Sequence, residues 1–300
     1  MSIYNIKREA EVYIVQTDNT KTRLDVTPDI NFSQTFTDET YPQKTLHEQH
    51  KLHDASNIKK ANPANFNFTI PVITQSDLDI VLNLLVNFAS GTNTLQHFDL
   101  EIKVGNYGYK LEKCVITSGT FIIEKLENLK LSISGQATKL LTNVSITTTA
   151  RTTPRTEQRV SYLNVSIDGG SSELSGITGM SVELQNDIKW TPYETVHNAL
   201  NVTNASTSMY PSNFTLEKRT LSGSITQYIN TSANSNLQTW STGVNIIIKA
   251  GESASQGVQF NLSSCTFTNR NIVGEIFTQS YDWIMNDNPT NLGSKITFNT

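Results

Sequence analysis

Apolar and polar residues alternate strictly in several segments of this 300-residue chain. A period of two fits a half-buried β-strand and little else. Residues 11–16 read Glu-Val-Tyr-Ile-Val-Gln, and residues 66–72 read Phe-Asn-Phe-Thr-Ile-Pro-Val. Residues 98–104 place Phe98, Leu100, Ile102 and Val104 on one face, and residues 129–134 do the same with Leu129, Leu131 and Ile133. Leu163, Val165 and Ile167 alternate within 162–168, as Val244, Ile246 and Ile248 do within 244–249. Strands with one apolar and one polar face belong to mostly antiparallel sheets. The expected fold class is mostly β.

Composition points the same way. The chain holds 29 Ser, 39 Thr and 30 Asn, so a third of it is small, uncharged and polar. Thr favours strands and Asn favours turns. With Gly at 15 and Pro at 8, neither a collagen nor a flexible linker is in view. A net charge of −4 argues against a protein that coats duplex DNA. No apolar run approaches the roughly 18–20 residues of a membrane span. The first fifteen residues read as no signal peptide, so the Asn-x-Ser/Thr triplets are taken as by-products of composition. Two cysteines make neither a disulfide framework nor a zinc site.

One helix is expected over residues 77–89. Thr74 or Ser76 caps it, Asp77 and Asp79 favour its first turn, and Leu78, Val81, Leu82, Leu85 and Phe88 keep helical spacing up to Gly91. A weaker helix is expected near residues 233–241, where Leu237 and Trp240 lie three apart. Residues 151–160, with Arg151, Pro154, Arg155 and Arg159, read as an extended linker between units 1–150 and 161–300. The alternative is an ordinary surface loop.

The two units share an order of strand, helix, strand, Gly turn and then Leu-x-x-Cys-x-x-Thr. The motif occurs at Leu111, Cys114 and Thr117, and again at Leu262, Cys265 and Thr268. The cysteines are therefore expected as equivalent core positions rather than as a bonded pair. Each unit also carries a long polar stretch before its first shared strand, at residues 37–65 and 190–213, which suggests projecting arms.

Catalytic constellations are weak. His47, His50 and His53 stand three apart, which could serve zinc or nickel on a helix, but three is not the i, i+4 spacing of the helical zincin pair. The second half has no matching cluster. No Ser lies in Gly-x-Ser-x-Gly, Cys114 falls in a strand-like run, and His97 is the only His outside the arms. No enzyme activity, cofactor or metal is expected. Trp190, Tyr193 and Tyr210 near Pro could meet a sugar face, which motivates a rival reading as a tandem β-sandwich carbohydrate-binding or adhesin module.

Four stretches carry a resemblance to a known family: residues 6–15 (Ile-Lys-Arg-Glu-Ala-Glu-Val-Tyr-Ile-Val), 27–36 (Thr-Pro-Asp-Ile-Asn-Phe-Ser-Gln-Thr-Phe), 186–192 (Asn-Asp-Ile-Lys-Trp-Thr-Pro) and 220–228 (Thr-Leu-Ser-Gly-Ser-Ile-Thr-Gln-Tyr). With the repeat, the chain resembles bacteriophage tail tube proteins, of the long-tailed siphophage kind with two tandem tube domains. The resemblance implies two β-sandwich or half-barrel domains, each with a flanking short helix and a long projecting loop. It implies trimeric rings of pseudo-six-fold symmetry, stacked into a hollow tail tube on a tape-measure protein. Tail terminator and tail-tip proteins would close the ends, phage DNA would pass through the lumen without sequence-specific binding, and assembly would occur in the host cytoplasm. No catalytic residues carry over. The arms then become candidate ring-to-ring or subunit contacts, with Tyr41, His47, His50, His53, Lys59 and Lys60 on the first, and Trp190, Tyr193 and Tyr210 on the second.

Overall fold

The computed structural model describes residues 9–43, 53–71, 75–87, 94–150, 159–167, 172–190, 209–229, 243–273, 277–287 and 295–299. The first half contributes β1 (Glu11–Val15), β2 (Lys21–Leu24), β3 (Asn31–Ser33), β4 (Phe36–Gln43), β5 (His53–Ala61), β6 (Ala64–Pro71), α1 (Gln75–Val86), β7 (Phe98–Val104), β8 (Tyr107–Glu124), β9 (Lys130–Ala137) and β10 (Lys139–Thr142). The second contributes β11 (Tyr162–Ile167), β12 (Ser172–Glu173), β13 (Ile177–Trp190), β14 (Phe214–Tyr228), β15 (Val244–Ser253), β16 (Gln256–Val273), β17 (Thr278–Met285) and β18 (Ile296–Asn299). The chain is mostly β, and the strand pairs among the described residues are antiparallel.

All six alternating segments fall on strands: β1, β6, β7, β9, β11 and β15. Their apolar positions face inward. Phe98, Leu100 and Ile102 of β7, and Leu131 and Ile133 of β9, are buried. The expected first helix is α1, which buries Val81, Leu84 and Leu85 in the same core. The weaker helix near 233–241 and linker residues Arg151, Pro154 and Arg155 lie outside the described residues.

Strand β8 changes partners along its length. Its first part pairs with β7 and β10, and its second part with β9 and β13. Strand β16 does the same, first with β15 and β18, then with β17. A strand that leaves one sheet for another needs a bulge or bend to turn the corner. The repeated Leu-x-x-Cys-x-x-Thr motif marks these corners. Leu111 pairs with Leu100, and Leu262 with Ile246. Cys114 then pairs with Phe98 across one register shift, and Cys265 with Val244 across another.

The residue before each cysteine adopts a left-handed backbone, with φ of 53° at Lys113 and 52° at Ser264. A side chain on the neighbouring strand satisfies each of these amides. Lys113 N donates to Asp99 Oδ1 at 2.9 Å, and Ser264 N to Asn245 Oδ1 at 3.2 Å. Thr117 and Thr268 sit in the next register shift and donate to the carbonyls of Ser134 and Asp282. Every motif residue thus plays the same part twice. Both cysteines are free and buried, as the repeat predicts.

The registers also pair large against small in opposite senses. Phe66 lies across from Gly135 in the first half, and Gly223 across from Trp283 in the second. A Cβ on Gly135 would stand 2.2 Å from Phe66 Cζ, and one on Gly223 would stand 2.5 Å from Trp283 Cζ2. The aromatic ring fills the glycine's space from opposite strands in the two halves, so the cross-strand volume is kept while the residues are exchanged.

The halves meet edge to edge. Val182, Leu184 and Met180 of β13 pair with Phe121, Gly119 and Ile123 of β8, so one hydrogen-bonded network runs through both. One buried apolar cluster likewise contains residues of each, from Val12 to Ile296.

Candidate assembly surfaces

The described residues of the 37–65 stretch include two paired strands. Strands β4 and β5 pair from Phe36 with Ala61 to Gln43 with His53. They continue the β3–β6 pair past a bend at Asn62 and Pro63. Pro63 has no amide to give the ladder, and Asn62 holds the bend instead. Its N–H donates to Thr35 O at 2.9 Å, its Nδ2 to Thr35 Oγ1 at 3.0 Å, and its Oδ1 accepts from Thr37 Oγ1 at 3.1 Å. Lys60 lies in β5 and is partly buried. Tyr41, His53 and Lys59 sit in the two strands, while their side chains lie outside the description, as do His47 and His50. Phe36 and Ile58 are exposed on the hairpin.

The described residues on either side of 191–208 are held by the first half. Trp190, the last residue of β13, donates its indole N–H to Gln136 Oε1 at 2.8 Å and meets the Phe214 ring edge-on at 5.5 Å. Tyr210 is buried with Ala61 and Met209, and the Lys139 ammonium lies 4.8 Å from its ring centre. Lys113 Nζ reaches Ser212 O and Asn213 Oδ1 at 2.7 and 2.8 Å. Trp190 and Tyr210, on either side of residues 191–208, are thus both held against the first half. Tyr193 lies outside the described residues.

A polar clamp that the sequence alone did not reveal ties the halves together. Asn186, 2 % exposed, donates from Nδ2 to Leu85 O at 2.9 Å and Ile116 O at 3.0 Å. Arg219 donates from Nε to Asn186 Oδ1 at 2.9 Å, and from Nη2 to Leu85 O at 3.0 Å and Val86 O at 2.6 Å. These carbonyls close α1, whose own last turn has no basic residue. A helix C-terminus presents orphan carbonyls and partial negative charge, and a cation there satisfies both. Here the second half supplies that cation. Burial draws the Arg219 guanidinium down to about 10.

The outward face of the joined sheet is a row of hydroxyls and amides. The ladders place Asn31, Asn67, Ser134, Ser118, Gln185 and Thr220 side by side across six strands. One step along, Thr69, Ser132, Thr120, Glu183 and Ser222 repeat the theme. Nine of the eleven residues in these two rows are Ser, Thr or Asn. A groove of about 680 Å³ opens on this face between the 27–29 loop and β9. Asp29 lies on its wall. Its partial burial works to raise its pKa, but the Thr27 and Thr69 hydroxyls outweigh that and hold the carboxyl below its ordinary range.

The chemically reactive groups are set elsewhere. Burial pushes the Cys114 thiol well up, and raises Cys265 to about 12. Such thiols are not nucleophiles at neutral pH. His97 is drawn down by partial burial and by Lys113, against the opposing pull of Asp99. No group of three or more metal-ligating side chains gathers among the described residues, and no helix there is long and apolar enough to cross a membrane.

The fold and its surfaces define a β-rich protein of two repeated halves that share a sheet with a polar face. The chain belongs to the bacteriophage baseplate tube protein family, which it matches over residues 2–299. It is thus a structural, tube-related component of a phage tail. No curated protein matches the sequence. Among solved structures, a chain of the anti-feeding prophage (AFP) baseplate, from a six-fold symmetrised cryo-electron microscopy structure, is similar at 10 % identity and a TM-score of 0.33. That likeness covers 47 % of this chain and 97 % of the other.

Proposed function

We propose that the chain is a self-assembling tube subunit with two tandem tube domains, 1–150 and 161–300, joined by a linker at 151–160. Three copies close into a ring of pseudo-six-fold symmetry, and rings stack as the major subunit of a hollow tail tube that delivers phage DNA. The observation that supports this is the β13–β8 seam. Two repeated halves joined edge to edge form a head-to-tail contact, and such a contact repeated between copies closes a ring when the rotation allows. Open strand edges, otherwise a liability, become the joining surface.

The outward row of hydroxyls and amides supports a lumen role. Such a face offers sliding DNA few cations, so phosphates find little to release counterions against. A tape-measure protein in the lumen, and terminator and tip proteins at the ends, are the partners that follow. The siphophage main tube is a narrower assignment than the family, and it is part of the proposal. The carbohydrate-binding alternative loses support from the buried Tyr210 and the engaged Trp190.

Negative-stain microscopy of the purified protein tests the proposal, with rings or tubes expected. Monomers at every concentration, together with binding on a glycan array, would favour the rival. Deleting residues 43–60 is expected to abolish stacking into tubes while the melting transition persists. Normal tubes from that deletion would remove the arms from the account.

A further inference from the structure

The repeat makes the turns after β8 and β16 counterparts, and their surroundings differ. Lys130 pairs with Pro71 at the start of β9, and Thr278 with Tyr228 at the start of β17. One residue earlier stand Leu129 and Phe277. Leu129 is 0 % exposed, whereas Phe277 is 63 % exposed.

The first turn is crossed by the segment that leads into β11. Leu126 N donates to Val160 O at 2.8 Å, and Val160 N to Glu127 O at 2.9 Å. Arg159 Nε donates to Leu126 O at 2.9 Å, and Asn128 forms a β-bridge with Arg159. Val160 is itself buried and belongs to the same core cluster as Leu129. The start of the second half therefore straps the far end of the first.

At the second turn, Phe277 stands with exposed Tyr228 and Ile229, and Ile229 N donates to Phe277 O at 3.0 Å. Single exposed apolar residues are ordinary, but three large ones together mark a contact surface. The counterpart of the strap is the segment before β1, which reads Ile3-Tyr4-Asn5-Ile6-Lys7-Arg8. Like Arg159-Val160, it combines apolar and basic residues. It lies outside the described residues.

We infer that Phe277, Tyr228 and Ile229 receive the start of a second copy of this chain. Residues 1–9 of that copy lie against these three residues as Arg159 and Val160 lie against the turn after β8. The same correspondence brings the second copy's β3, the counterpart of β13, beside residues 269–273 of β16. Those residues are the counterpart of the β8 stretch that β13 occupies within one chain. The inference rests on the ring reading and adds its contact.

Two measurements on the full chain test it. Phe277→Asp is expected to leave the melting temperature unchanged and to raise the concentration needed for rings at least tenfold. Separately, Phe277→Cys protein is mixed with Ile3→Cys, Tyr4→Cys or Ile6→Cys protein, assembled and oxidised. A covalent dimer in at least one mixture, dissolved by reductant, is expected. The native thiols are buried and contribute little background. Rings from wild type together with undiminished rings from Phe277→Asp would overturn this contact and leave the ring reading standing. Rings without a cross-link in any of the three mixtures would do the same. Absence of rings from wild type would overturn both.

Discussion

Replacing Arg219 with Met probes the junction of the halves. The substitution keeps a long apolar stem and removes the guanidinium that reaches Asn186 Oδ1, Leu85 O and Val86 O. Leu85 O keeps the Asn186 amide as a donor. Two acceptors, Val86 O and Asn186 Oδ1, lose this charged donor, and a buried acceptor stripped of its donor costs about 1–3 kcal/mol. Removing the guanidinium also relieves its own burial, which is visible in its fall to about 10, and this offsets part of the loss. The net expectation is a loss of about 3 kcal/mol, roughly 5 °C in Tm for a chain of this size. The effect is local as well as global, so the amides of the last turn of α1 should lose hydrogen-exchange protection first. Arg219→Lys should recover less than half of the loss, because an ammonium cannot reproduce the fork. Urea denaturation of wild type, Arg219→Met and Arg219→Lys, with exchange measured on α1, makes the check. A Met variant within about 0.5 kcal/mol of wild type, the range of an ordinary surface change, would refute the idea that Arg219 locks the helix to the second half.

Other consequences follow from the same geometry. Gly223→Ala drives a Cβ to 2.5 Å from Trp283 Cζ2 and 2.0 Å from Ser181 O. It should destabilise by about 2 kcal/mol or more, read from urea midpoints, since overpacking against backbone has no easy relief. Cys114 and Cys265 should both resist iodoacetamide in the folded protein at pH 8 and react fully in urea; rapid labelling of Cys114 in the native state would contradict its burial. His97 has a folded pKa below its unfolded one, so the unfolded chain binds its proton first as pH falls. Its contribution is present above the unfolded value of about 6.5 and is lost as pH drops through the lower folded value. His97→Phe should therefore flatten the stability profile on the acid side of pH 6.5, measured by urea midpoints from pH 7.5 to 5.

What the sequence discloses is set by the range of each signal. The alternation in β7 or β9 is local, because side-chain direction repeats every two residues, so those strands are legible by inspection. The Leu-x-x-Cys-x-x-Thr repeat is legible for a similar reason: each copy meets the same constraint at a sheet corner. The β4–β5 hairpin is hidden because residues such as Thr37, Asp38 and Lys60 give it no apolar face, and a strand without one has no period to read. Arg219 is hidden because it acts on main-chain carbonyls more than 130 residues away. The exchange of Phe66 and Gly135 for Gly223 and Trp283 needs the register of four strands before it means anything. The polar face is half-legible. The count of Ser, Thr and Asn is plain in the sequence, but which of them stand side by side on the sheet shared by both halves is not.

The decisive quantity is the number of chains in one ring. Native mass spectrometry of rings released from purified wild-type tubes should give a mass of three chains of 33.4 kDa each, with six similar lobes in averaged end-on views. A ring of six chains, or one whose lobes show no internal repetition, would contradict the account in which each chain supplies two equivalent positions.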